Sequence, residues 1–173
     1  MRKIFLWFYC LPIMEALVWI LLATLIYLFL YNRFKNSPVW KSCNLIFLTC
    51  WIGAILLGTL VQRTAGHSPS DPVLTPFYSY YLARHGGSPE IYRTNFMNTV
   101  FFYPAGLLAS AILPGAWPRF RKILLLTVFF AMLSIGIEFI QYSFGLGIAE
   151  VDDVIHNALG TLLGTLVFSL LAK

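Results

Sequence analysis

The sequence predicts an all-α integral membrane protein, a bundle of about five transmembrane helices with a short interfacial helix in an outer loop. The chain of 173 residues is 59% hydrophobic and only 11% charged, whereas a soluble domain usually carries about a quarter charged residues. Its apolar residues also form five long runs, each near the ~17–25 residues that a helix needs to cross a hydrocarbon core. These runs lie at residues 12–31, 44–61, 96–113, 123–140 and 154–171.

The first apolar run is interpreted as a retained helix rather than a signal peptide. Arg2 and Lys3 precede it, as basic residues precede the apolar part of a signal. The run is nevertheless too long, and it ends in LYNRFK instead of a cleavage site made of small residues. We therefore expect residues 1–173 to form one transmembrane domain.

The basic residues predict a membrane orientation and argue against a nucleic-acid partner. The net charge is +5, but the basic residues lie in the short connections between apolar runs, where they mark the cytoplasmic side. An external N-terminus places seven basic residues and no acid in the cytoplasm, and five basic residues with all seven acids outside. The expected orientation in the cell membrane is an external N-terminus and a cytoplasmic C-terminus.

Polar residues within the apolar runs are expected to gather at one membrane face. In either orientation, three helix ends must lie on the same side of the membrane: the start of the third helix, the end of the fourth and the start of the fifth. These ends carry the segments RTNFMN (93–98), EFIQ (138–141) and EVDDVIHN (150–157). Glu138 and Gln141 share a helix face because they are three residues apart, and Asp153 and Asn157 share one because they are four apart. The pattern predicts a polar site.

Small residues and a proline are expected to shape this site. Gly160 and Gly164 stand four apart in GTLLG, a spacing that lets two membrane helices approach closely. Pro104 removes a backbone donor in the middle of the third helix and displaces the carbonyl of Val100, and Gly106 follows it. A kink there would widen the space between helices, although membrane helices also tolerate proline without a functional reason.

The connection 62–94 is the one sizeable segment predicted outside the membrane. Thr75 is expected to be the N-cap of a short helix, with Pro76 at its first position and its end at Gly86. The aromatic residues of FYSYY suit the headgroup region of a membrane. This helix is expected either to cover the polar cluster or to act as a plain interfacial anchor.

Three interpretations of the polar cluster remain open on residue type alone. In the first, Glu138, Asp153, His156 and Asp152 hold a divalent metal for an intramembrane hydrolase or transferase that acts on a lipid-linked substrate. Their spacing matches no ligand motif, so no metal or cofactor is predicted. No nucleophile or phosphate-loop motif identifies a catalytic residue, and a binding protein is favoured over an enzyme.

In the second interpretation, the cluster binds a polar headgroup or a cationic substrate, with carboxylates supplying charge and Asn and Gln supplying hydrogen bonds. In the third, the cluster is structural. Asp152 or Asp153 would cap the last helix, and Arg93 would pair with Glu138, whose burial as an unpaired charge would cost several kcal/mol.

Several motifs together resemble the VanZ-like membrane proteins. NTVFFYPAG (98–106), SIGIEFIQ (134–141) and VDDVIHNALGTLLG (151–164) occur in the family's order, and LTPFYSYYLARHGG is similar to its Pro-Phe-x-x-Tyr segment. The resemblance covers about residues 75–167. The positions that match are Asn98, Pro104, Gly106, Glu138, Gln141, Asp153, Asn157 and Gly160.

The resemblance implies a bacterial membrane protein associated with resistance to teicoplanin, a lipid-tailed glycopeptide. It implies recognition of an envelope component, such as a cell-wall precursor, or of the lipoglycopeptide itself. Membrane lipid is expected to surround the protein. The expected ligand-binding residues are Glu138, Gln141, Asp152, Asp153, Asn157, Asn98 and Arg93. The chain departs from the family at two places: loop 142–151 lacks the arginine that many members have, and His156 stands where the family is commonly apolar, which disfavours a metal.

Overall fold

A computed structural model describes residues 2–61, 71–86 and 90–172 of the chain, with side chains from residue 13 onward. The described part is all-helical, as predicted, with five long helices and one short one. The helices are α1 (Arg2–Phe34), α2 (Pro38–Leu56), α3 (Tyr78–Arg84), α4 (Glu90–Ile112), α5 (Arg119–Ser143) and α6 (Val151–Leu171), and one π-helical turn (Leu57–Val61) extends α2.

The long helices begin three to six residues before the predicted apolar runs, apart from α1, which begins earlier still. For example, α4 begins at Glu90 and α2 at Pro38, where proline occupies the first turn. Hydropathy marks only the part of a helix that lipid surrounds, whereas polar first turns are helical too. The first turn of a helix accepts proline because its N–H groups have no intrahelical partner.

Four described helices are long and apolar enough to cross a membrane by length and composition, namely those at Ile13–Phe34, Pro38–Val61, Arg119–Ser143 and Val151–Leu171. The remaining long helix, α4, has 23 residues, which corresponds to about 34 Å, but its first turns are polar. It is the central helix, packing most extensively on α6 and also on α2, α5 and α1. The polar turns of α4 therefore lie where other helices can satisfy them.

Three glycines bring the backbones of α4 and α6 together. A Cβ atom on Gly160 would overlap the backbone carbonyl of Thr99, and one on Gly164 would overlap that of Tyr103. From the other side, a Cβ on Gly106 would overlap the carbonyl of Thr161. The close approach that the GTLLG spacing predicts is therefore present, and it fixes α6 directly against α4.

Pro104 lies inside α4, and the helix continues past it to Ile112. One turn earlier, the indole nitrogen of Trp51 donates a hydrogen bond to the carbonyl of Phe101, with an N–O distance of 2.8 Å. A neighbouring helix thus supplies a donor in the stretch where proline disturbs the backbone ladder, as is usual in membrane helices.

The short helix α3 begins later than predicted. Its N-cap is Phe77 rather than Thr75, and Phe77 has a left-handed backbone with φ of 61°. The observed end lies within two residues of the predicted one, since α3 stops at Arg84 and Gly86 follows with φ of 106°. The prediction of Thr75 as N-cap is wrong because Asp152, a side chain from another helix, accepts the hydrogen bonds of the first N–H groups. Residues 62–70 and 87–89 of the predicted outer loop lie outside the described residues.

The segment before α3 is tied to the start of α6. The backbone N–H of Val73 donates to the carbonyl of Ala149 at 2.9 Å, and the N–H of Val151 donates to the carbonyl of Val73 at 3.0 Å. This short parallel pairing positions the outer segment against the polar end of the bundle.

Candidate functional site

A cavity of about 260 Å³ lies between α2, α4, α5 and α6, at the bundle end where the polar segments were predicted to meet. Five of the seven predicted ligand-binding residues line it: Asn98, Glu138, Gln141, Asp153 and Asn157. The apolar part of the wall includes Phe101, Phe102 and Ile137. Residues that are 40 or more positions apart along the chain are thus brought together.

Each carboxylate of the cavity accepts a hydrogen bond from its own surroundings. Asn98 donates from Nδ2 to Oδ1 of Asp153 at 2.7 Å. The backbone N–H of Glu150 donates to Oε2 of Glu138 at 3.1 Å. Glu138 is only 7% exposed, so its side chain is positioned by the fold rather than by water.

Two amide side chains turn their donors into the protein. Gln141 donates from Nε2 to the backbone carbonyl of Thr59 at 2.9 Å, an assignment that the carbonyl requires because it can only accept. Asn157 donates from Nδ2 to Oγ of Ser134 at 2.8 Å. The sequence led us to expect that Gln141 and Asn98 would donate to a ligand. In the structure, each of them donates a hydrogen bond to a protein acceptor.

The amide oxygens of Gln141 and Asn157 are buried and have no hydrogen-bond partner. Both residues line the cavity. A buried polar atom without a partner costs about 1–3 kcal/mol, and such an atom in a folded protein calls for an explanation. These two amides and the carboxylates of Glu138 and Asp153 thus belong to residues that line one cavity, which we call the acceptor-rich cavity.

The α2 side of the cavity is built by the π-helical turn at Leu57–Val61. Its Gly58 and Thr59 line the cavity, and Thr59 provides the carbonyl that orients Gln141. Single π-helical turns inside α-helices occur often at functional sites. Sequence reasoning missed this wall, because no polar cluster marks it, and only the adjacent Gly and Thr in an apolar run hint at it.

Asp152 lies on a different face of α6 and is not among the described residues that line the cavity. It is 2% exposed and accepts hydrogen bonds from the backbone N–H groups of Phe77 and Ser79 and from the Ser79 hydroxyl. Asn95 donates to the same hydroxyl at 2.8 Å. Asp152 therefore caps α3 and not its own helix, whose N-cap Glu150 makes no side-chain capping bond.

His156 shares this second face with Asp152. One ring nitrogen lies 2.6 Å from the backbone carbonyl of Asp152, and the other lies 2.7 Å from the hydroxyl of Tyr80. Both nitrogens are therefore engaged, and the imidazole fastens α3 to α6. The α3 segment is attached beside the cavity, and its residues are absent from the described lining.

Arg93 lies apart from the cavity, with an exposed side chain in the first turns of α4. Glu138, by contrast, is buried and lines the cavity with residues of α2, α4 and α6, so the two residues that were expected to pair lie in different surroundings. On a helix, a residue five positions before Asn98 is rotated by roughly 140° from it, which accounts for the separation.

The family model of VanZ/LLP1 matches residues 17–172, nearly the whole described chain. This protein belongs to the VanZ/LLP1 family. Among characterised relatives, it is 33% identical over 78 residues to "Protein VanZ" of Enterococcus faecium, which covers 44% of each chain. The chain thus matches less than half the length of that relative. No solved structure matches the VanZ/LLP1 chain.

Proposed function

We propose that this VanZ/LLP1 protein recognises, from within the membrane, a hydrogen-bond-donating polar group of an envelope component or of a lipophilic glycopeptide. The observation that carries the proposal is a pair of buried amide oxygens without hydrogen-bond partners, which belong to Gln141 and Asn157, two residues that line a common cavity. A group with N–H or O–H donors would satisfy both. An ammonium group would also be favoured by the nearby carboxylates of Glu138 and Asp153.

The size of the cavity limits what enters it. Pockets for drug-sized ligands enclose about 300–1,000 Å³, and this one encloses about 260 Å³. It accommodates a headgroup or a single sugar or amino-acid unit, so a glycopeptide or a cell-wall precursor would insert only one polar group, while its lipid part stays in the bilayer.

The membrane setting and the relatives support this function. Four helices of the described chain are long and apolar enough to span a membrane, and the similarity to "Protein VanZ" of Enterococcus faecium suggests a role in teicoplanin resistance. We infer that the protein resides in a bacterial cell membrane with its polar cavity toward the outer leaflet. Recognition there would lower the effect of the antibiotic on cell-wall synthesis.

Neutralising the cavity carboxylates should abolish protection. In cells that express the chain, Glu138→Gln and Asp153→Asn are each expected to lower the minimal inhibitory concentration of teicoplanin to that of cells without it, because the acceptor charge for the ligand is lost. Asp71→Asn is the control, since Asp71 is exposed in the outer segment and does not line the cavity. Membrane levels are checked by blot. Wild-type protection by both cavity variants would mean that the cluster is structural.

Filling the cavity should have the same effect without changing any charge. A Cβ on Gly58 or on Gly53 meets no atom within 4 Å, yet only Gly58 lines the cavity. Gly58→Leu is therefore expected to remove protection against teicoplanin by occupying the ligand space, while Gly53→Leu retains it. Equal protection by the two variants, at equal membrane levels, would show that the cavity volume is not used.

A further inference from the structure

A second cavity lies at the opposite end of the bundle. It encloses about 520 Å³ and is formed where α1, α4 and α6 end and where α2 and α5 begin. The acceptor-rich cavity lies at the other ends of α2, α4, α5 and α6. The two cavities are therefore separated by the length of the bundle and do not share a lining residue.

The second cavity is cationic. Four basic side chains line it, Lys35, Lys41, Arg119 and Lys122, and no acid is among its described lining residues. They come from three separate parts of the chain: the turn after α1, the first turn of α2 and the first turn of α5. A positive-inside bias explains the sign of these residues, but it does not require them to converge on one concave space.

The helix starts at this cavity increase the positive potential. Neither α2 nor α5 has an acid in its first turn, and neither N-cap makes a side-chain capping bond. The start of a helix carries about half a positive charge, which opposes cations placed there. Lys41, Arg119 and Lys122 occupy this unfavourable position. An anion in the cavity would be attracted both by the basic side chains and by the N–H groups of the first helical turns.

Aromatic residues indicate the depth at which the cavity lies. Tyr31, Trp117 and Phe168 line it together with the basic residues, and aromatic rings at a helix end are typical of the membrane interface. Basic pockets between transmembrane helices at this depth bind the headgroups of anionic lipids. We propose that this cavity binds the phosphodiester headgroup of an anionic phospholipid, independently of the acceptor-rich site.

The test measures lipid binding to the purified full chain in zwitterionic detergent. Phosphatidylglycerol, phosphatidylcholine with the same acyl chains, and inorganic phosphate are titrated, and the rise in thermal unfolding temperature gives the half-saturating concentration. Phosphatidylglycerol is expected to saturate at a lower concentration than phosphatidylcholine. Lys41→Gln and Arg119→Gln should each raise the half-saturating concentration of phosphatidylglycerol about fivefold. Both side chains are exposed, so the substitutions should leave folding intact.

Arg33→Gln is the matched control. The substitution removes one positive charge from the same end of the bundle, but Arg33 is exposed and does not line the cavity. The half-saturating concentration of phosphatidylglycerol for this variant should therefore equal that of the wild type. An equal loss in all three variants would overturn the site in favour of general surface charge. Saturation by inorganic phosphate as readily as by phosphatidylglycerol would overturn the lipid assignment, and so would equal saturation by the two lipids.

Discussion

Gly160→Ala is expected to lower the free energy of unfolding by about 1–3 kcal/mol or more, because inserting a methyl group into a packed interface forces backbone shifts. The added Cβ would overlap the carbonyl group of Thr99. That obstacle is backbone, so no rotation of a side chain can relieve it, and α6 would have to move away from α4. The loss is measured by titrating the purified chain in mixed micelles with sodium dodecyl sulfate.

Gly136→Ala is the control for this prediction. Gly136 also lies within a long helix, α5, but a Cβ there meets no atom within 4 Å. The same substitution should therefore be neutral or slightly stabilising, because alanine restricts the unfolded chain more than glycine does. If the two variants unfolded at the same detergent composition, the α4–α6 backbone contact would not be a source of stability.

The second large effect is expected for Asp152→Ala, which should release α3 from the bundle. The substitution leaves the N–H groups of Phe77 and Ser79 and the Ser79 hydroxyl without their acceptor. Each donor left buried without a partner costs about 1–3 kcal/mol. Phe77 also holds a left-handed backbone, with φ of 61°, which costs on the order of 1–2 kcal/mol for a residue with a side chain. Without Asp152, α3 should open locally.

Amide hydrogen exchange over residues 78–84 measures this opening, and Asp153→Ala provides the comparison. Asp153 lies in the same first turn of α6 and carries the same charge, but its described hydrogen bond goes to Asn98 instead of α3. Exchange across α3 should therefore accelerate in Asp152→Ala and stay at the wild-type rate in Asp153→Ala. Equal acceleration would assign the effect to first-turn charge, and unchanged exchange in both would show that the membrane interface holds α3.

The polar residues that α4, α5 and α6 contribute to the cavity could be predicted because membrane topology constrains where helix ends lie. Asn98, Glu138 and Asn157 are far apart in sequence, but helices that cross a membrane alternate in direction, so their polar ends must share one side. Helical spacing then selected the faces that carry Gln141 and Asp153. The wall from α2 could not be predicted, because its π-helical turn depends on the local backbone path, which hydropathy does not report.

The different roles of the two neighbouring acids could not be predicted from the sequence either. Asp152 and Asp153 are adjacent and chemically identical, but successive residues of a helix point about 100° apart. One therefore faces α3, where it caps backbone donors, and the other faces the cavity. The sequence around residue 150 predicts that polar side chains are required at the start of α6. The role of each side chain depends on the element that packs against its face of the helix.

From the sequence we could predict the all-helical membrane class, the convergence of several separated polar residues at one end of the bundle, and the glycines that bring α4 against α6. These features depend on composition and on periodicities of three to four residues, which are local properties of a chain. Only the packing of the helices set the direction of each amide group, the capping of α3 by Asp152, the position of Arg93 away from the cavity, and the second cavity lined by basic residues. Those outcomes depend on which surfaces of different helices meet, and contacts between distant residues set them.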